Sequence, residues 1–283
     1  MPAPVPLPDS PAARLHHSVG PWQPFTGHGV ASFALAGFFR LLALQLLAAL
    51  AVASLVAWGL HQTWFPVIQR ALPQLPEVAS IASGSLSWPG DQPVRLAQNP
   101  WLDVIVTPNP DPSAPSLGQT ADLQLELLPS RYRIQGILGQ FTRPYPRTTS
   151  LDLGRIPASA AWEAWQPTAS IMAACSIAAG LLVSWWLLAS IYSLPAWILA
   201  LFLSRPVNLG ATWRMASAAL LVGALLATAG LTAYTLGVIR LPGLIAVLIL
   251  HFPIGIIWLI WGIFRLPSGS RPRKSPANPF RAA

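Results

Sequence analysis

The side chains with chemical potential are few, and their spacing decides what they can do. Ser83, Gly84 and Ser85 form a small-residue loop of the kind that can present a nucleophilic hydroxyl. A serine nucleophile needs a neighbouring base, and no histidine follows His61 until His251, while the only lysine is Lys274. The stretch is read as a turn between strands. His61 and His251 would sit at depths differing by roughly 10 Å at 1.5 Å per helical residue, so they do not pair as haem ligands. His251 stands two residues before Pro253 and is assigned a structural role beside the carbonyl that the proline frees. Asp91, Asp103 and Asp111 lack regular calcium-ligand spacing and are read as solvated loop positions. Cys175, the single cysteine, excludes an intrachain disulfide and a multi-cysteine metal site. No catalytic, cofactor-binding or metal-binding residue is assigned, and the chain is read as not an enzyme.

The elements that hold these residues are dominated by apolar runs. Hydrophobic residues make up 53% of the 283 and charged residues 9%, against about 25% charged in soluble domains. The fold class is therefore an α-helical integral membrane protein. The net charge of +8 does not form a nucleic-acid face. Eight of the nine acidic residues lie between His61 and Thr168 with seven arginines, and most other basic residues flank apolar runs.

Four spans are expected: 33–60, 169–203, 216–239 and 244–264. Residues Leu41 to Leu60 carry no charge and suffice to cross a ~30 Å hydrocarbon core. The run Ala169 to Leu203 is too long for one upright span, so a kink at Pro195 with an inner extension is expected. "RLPG", Arg240 to Gly243, is read as a tight helical hairpin. Arg14, Arg40, Arg205, Arg214, Arg265, Arg271, Arg273, Lys274 and Arg281 fall on one side of this layout and only Arg240 on the short opposite hairpin. The positive-inside rule places both termini in the cytoplasm. Residues 1–32 and 265–283 are read as disordered and basic cytoplasmic tails, and 204–215 as a cytoplasmic loop.

Residues 61–168 break the pattern and are expected to form a small extracytoplasmic antiparallel β domain between helices 1 and 2. In "ADLQLELLPSRYRIQGIL", Leu123, Leu125 and Leu127 alternate with Asp122, Gln124 and Glu126, a half-buried strand. Folding back at Pro129 and Ser130 pairs Leu125 with Ile134 and Glu126 with Arg133. "WLDVIVT" is a second strand, and "GSLSW", "PVRLA" and "SLDLG" are shorter ones; "QNP" and "TRPYPR" are read as breaks. "ASAAWEAWQP" is read as a short amphipathic helix leading into the second span.

The lead-in "LPEVASIASGSLSWP", the strand "LDVIVTPN" and the layout from about Phe33 to Phe264 resemble an uncharacterised prokaryotic multi-pass membrane-protein family. Some of its members carry a maltodextrin-utilisation label, and it is grouped with the Yip-type membrane proteins. The resemblance implies the same layout and transfers no catalytic residue.

The expected function is a bacterial inner-membrane protein whose insert recognises a partner or ligand, in sensing, scaffolding or envelope assembly. The alternative is an accessory subunit of a transport complex, or a lipid-handling protein, working through its helices. Membrane cores without Asp, Glu, Lys or Arg argue against an autonomous ion-coupled transporter. Expected partners are the lipid bilayer and a protein bound by the insert. Trp88, Trp101, Arg143 and Tyr145 are the candidate contacts, because aromatic residues and arginine anchor interfaces. Ala219, Gly223 and Ala227 form a small-residue ridge for helix packing, with a homo-oligomer interface as the sharper alternative.

Overall fold

The computed structural model describes residues 24–110, 117–148 and 150–268. Most of both expected tails, together with Asp111, lies outside them. The helices are α1 (Gly27–Ser32), α2 (Phe38–Thr63), α3 (Phe65–Ala71), α4 (Arg155–Phe202), α5 (Leu209–Thr235) and α6 (Leu241–Phe264). Among the described residues, four helical stretches are long and apolar enough to cross a membrane: Phe38–Gln74, Arg155–Phe202, Leu209–Thr235 and Leu241–Arg265. The strands are β1 (Ser80–Ala82), β2 (Ser85–Ser87), β3 (Val94–Gln98), β4 (Leu102–Val106), β5 (Leu123–Leu127), β6 (Arg131–Gly136), β7 (Gly139–Pro144) and β8 (Leu151–Asp152). Counted from Phe38 onward, the sheets therefore stand between the second and third helices, not directly after the first, because the chain makes the short helix α3 before entering them.

The chain divides into two compact units. The first is drawn from Met1–Ala48, Gly180–Ala227 and Ile249–Ala283 as far as they are described. Here the expected tail is corrected, because α1 falls inside 1–32 and is packed. Thr26 caps it, its Oγ1 accepting from Gly29 N at 3.0 Å, and Val30, Ala31 and Phe33 are fully buried. Gly27 and Gly262 make the room. A Cβ on Gly27 would lie 2.9 Å from the Trp261 ring, and one on Gly262 would lie 2.7 Å from Val30 Cγ1. Arg214 donates to the carbonyls of Phe33 and Ala34, and Trp258 Nε1 donates to Phe25 O at 3.0 Å. Arg205 likewise reaches the carbonyls of Phe264 and Leu266 at the end of α6. Two arginines read as topology signals thus also satisfy helix-end carbonyls.

The other departures concern helix ends. α4 runs unbroken through Pro167 and Pro195, so the amphipathic segment and the span form one 48-residue helix. It closes in a Schellman turn, Arg205 N to Ala200 O at 2.8 Å and Ser204 N to Leu201 O at 2.9 Å, with Ser204 at φ 53°. The same motif ends α5: Val238 N donates to Ala233 O at 2.8 Å, and Gly237 at φ 72° occupies the left-handed position that favours glycine. The turn between α5 and α6 is therefore Leu236 to Arg240; "LPG" is the first turn of α6, where proline's missing N–H costs nothing.

The second unit, Ala49–Ala179 with Thr228–Leu248, holds both sheets. The three-stranded sheet has the order β2-β1-β8 and is antiparallel. Its β1–β2 hairpin turns at Ser83 (φ 53°) and Gly84 (φ 81°), the two positive angles of a type I′ turn. The five-stranded sheet has the order β3-β4-β5-β6-β7. β5 and β6 pair as the alternation predicts, Leu125 opposite Ile134 and Glu126 opposite Arg133. β4 and β5, however, are parallel, so the sheet is mixed and not antiparallel. The long link between them is the reason: it spans a crossover, which a hairpin loop cannot. β7 replaces the expected break "TRPYPR", and β1 is an additional strand.

The apolar face of the larger sheet packs on α3. Val67, Ala71, Leu75, Leu96, Leu102, Val104 and Val106 form one buried cluster, with Trp88 and Leu123 against it. β8 returns the chain beside β1, Asp152 opposite Ser80, and α4 begins three residues on. Gly154 makes this closure possible, since a Cβ there would lie 2.7 Å from Glu77 O. Arg155 N then donates to Pro76 O at 3.1 Å.

Candidate functional site

Within the second unit, the turn Asn99–Pro100–Trp101 fastens the larger sheet to two helix ends. Asn99 Oδ1 accepts from Trp101 N at 2.9 Å and Leu102 N at 2.8 Å, which shapes the turn. Its Nδ2 donates to Thr63 O, the last carbonyl of α2. Trp101 Nε1 donates to Tyr234 O at 3.1 Å, a carbonyl in the last turn of α5, and its ring faces Gly237. Helix ends leave carbonyls unpaired; the Asn99 contact satisfies one at Thr63, and the Trp101 contact adds a second donor to Tyr234 O, which also accepts from Gly237 N at 2.9 Å. Trp101 thus serves as an anchor of the sheet. His61 belongs to the same region: its Nε2 lies 3.0 Å from Ser170 Oγ on α4, and its ring meets Phe65 edge-on.

The polar face of the sheet holds two charge pairs. Asp103 is fully buried; Arg95 Nε donates to it at 3.0 Å and Thr120 Oγ1 at 3.1 Å. Glu126 accepts from Arg133 Nε at 2.8 Å and from Thr107 Oγ1 at 2.7 Å. Both carboxylates are neutralised and hydrogen-bonded, as burial of a charge demands. Asp103, read from sequence as a solvated loop position, is instead a core residue of β4, whereas Asp91 is exposed. Among the described residues no three His, Cys, Asp or Glu side chains cluster as a metal site.

The four candidate contacts separate. Trp88 lies partly buried against the α3 cluster, and Trp101 is the anchor just described. Tyr145 is buried, and its hydroxyl makes no hydrogen bond. Burial pushes that hydroxyl up to about 12, the nearby Leu128 backbone offsetting part of the effect. Arg143 alone is exposed, with its guanidinium 5.2 Å from the centre of the Phe141 ring. Both lie on β7, an edge strand whose six residues are all exposed. Sequence reasoning missed this strand because Pro144 and Pro146 look like breakers. The readable signal was "GILG", two glycines bracketing a two-residue turn, with Gly136 opposite Gly139.

The helix-packing candidates stay together. Ala219 and Gly223 are buried, Ala227 is half-buried, and a Cβ on Gly223 would lie 2.6 Å from His251 O on α6. By contrast Ser176 and Gly180 are exposed, and nothing lies within 4 Å of a Cβ on Gly180.

Four described helices fit to cross a membrane and a two-sheet insert held to helix ends define the class, a mostly helical protein with a small mixed-β module. No family model, curated protein or solved structure matches the chain.

Proposed function

We propose that the chain is a non-enzymatic protein of the bacterial inner membrane whose insert recognises a protein partner on the extracytoplasmic side. The observation that carries this reading is β7. It closes the larger sheet with one row of backbone N–H and C=O groups facing away from β6, and all six of its residues are exposed. An extended segment of a partner can add to such an edge, main-chain bonds giving affinity and side chains giving selectivity. Pro144 lacks an N–H, which limits the usable edge to Gly139 through Arg143. Arg131, Arg143 and Arg147 are all exposed nearby, so a segment carrying acidic side chains fits best. The side of the membrane follows from the arginine distribution, which leaves both termini cytoplasmic.

A second reading, an accessory transport subunit or lipid-handling protein, is favoured by one feature of the first unit. An apolar cavity of about 160 Å³ lies among Tyr192, Pro195, Leu199, Ile256, Leu259 and Ile263.

A photo-crosslinking residue at Gln140 in native membranes should give a discrete adduct that Arg143→Glu with Phe141→Ser removes. Tyr145 is unsuitable for this test because it is buried. Persistence of the adduct in that variant, or its absence in the parent, rejects edge recognition. A reporter fused at Pro108 that reads cytoplasmic rejects the assigned side.

A further inference from the structure

We infer that the tip of the β6–β7 hairpin is a membrane-dipping wedge that seats Ile137 and Leu138 in the apolar edge of the lipid leaflet beside α6. These two residues occupy the turn centre and are 57% and 85% exposed, the reverse of what aliphatic side chains do when water is their only surrounding. The turn is fixed in shape. Gly136 faces Gly139 across the hairpin, Gly139 has φ 124°, and a Cβ on Gly136 would lie 3.1 Å from Asp122 O. No charged residue occurs from Gly136 to Thr142. The tip therefore presents its aliphatic pair on a rigid and uncharged support.

Lipid is the assigned occupant because of what lies next to the tip. Ile137, Leu138, Gly139 and Phe141 share a cavity of about 290 Å³ with Leu241, the first residue of α6. α6 is among the four helices fit to cross a membrane, and it exposes Ile249, Leu250 and Ile257. The turn entering it exposes Leu236 and Val238, at 62% and 74%. Leu241 thus brings the apolar start of α6 beside the hairpin tip, and the exposed Arg240 next to it suits the headgroup level. Two aliphatic side chains on a convex turn fall far short of the ~1,200 Å² that a stable protein interface buries, which argues against a second copy as the occupant. An amphipathic edge needs only its apolar side chains in the headgroup–acyl boundary to bind there.

The test uses the full chain with Cys175→Ala and Leu138→Cys, labelled with an environment-sensitive nitrobenzoxadiazole dye and reconstituted in phosphatidylcholine–phosphatidylglycerol vesicles. Ser130→Cys, at the far end of β6, is the control, and Ile137→Cys is the second probe position. Dye at 138 and 137 should emit at shorter wavelength than dye at 130 and lose at least half its intensity with lipids doxyl-labelled at carbon 5. The dye at 130 should not respond. Emission at both tip positions matching that at 130, with no doxyl quenching, overturns the wedge. So does a blue shift that resists doxyl quenching and fades as protein is diluted in lipid, because a second copy would then cover the tip.

Discussion

A single methyl group at Gly223 tests the packing of α5 against α6. A Cβ there falls 2.6 Å from the carbonyl oxygen of His251 and 3.5 Å from its ring Cδ2. Carbon–oxygen contacts become comfortable at about 3.3 Å, so the two helices must part by roughly 0.7 Å at this level. The obstacle is backbone, and no side-chain rotation relieves it. Overpacking of this kind costs about 1–3 kcal/mol, which lowers the folded-to-unfolded ratio roughly 5- to 150-fold. Gly180→Ala on α4 is the internal control. Nothing stands within 4 Å of that Cβ, and alanine is the better helix former by about 1 kcal/mol. Unfolding in mixed micelles, titrated with dodecyl sulfate and followed by tryptophan fluorescence, should show Gly223→Ala unfolding at lower detergent fraction and Gly180→Ala at an equal or higher one. Wild-type resistance in Gly223→Ala, or equal losses in both variants, would refute the reasoning.

Tyr145 gives a pH prediction. Below pH 10 its hydroxyl is protonated in both states; between 10 and about 12 the unfolded chain loses that proton while the folded one keeps it, so stability falls as pH rises through this window. Tyr145→Phe should flatten that fall in unfolding curves taken from pH 9 to 12. Because it also removes a buried hydroxyl without a partner, it should leave stability at pH 7 unchanged or raised by up to about 1 kcal/mol. Trp101→Phe keeps a ring against Gly237 but deletes the bond to Tyr234 O, and should cost about 1 kcal/mol, read as faster amide exchange in the last turn of α5.

Local chemistry was legible in the sequence, whereas long-range chemistry was not. The β5–β6 hairpin could be read because its period of two, its turn and its opposite charges lie within fifteen residues. The parallel partnership of β4 and β5 left no such mark, since a crossover is decided by which edges meet in space. Val30 and Phe33 sit in a segment too short and too rich in glycine to show a helical period, and only Trp261, Gly262 and Arg214, far along the chain, explain why it folds. Trp101 had the right chemistry for recognition and for anchoring alike; its bond to Tyr234 O, 133 residues along the chain, left no mark in the local sequence. β7 was hidden by prolines that an edge strand tolerates and a central strand does not.

The pairing of β1 with β8 also sets a timetable. Ser80 cannot meet Asp152 until roughly 70 further residues have left the ribosome, about 4–15 s at ordinary synthesis rates. During that interval β1 has only β2 beside it, and the closure around Gly154 cannot form. The insert therefore locks only once the start of α4 has emerged, so a translational pause placed just before Leu151 would prolong its open state.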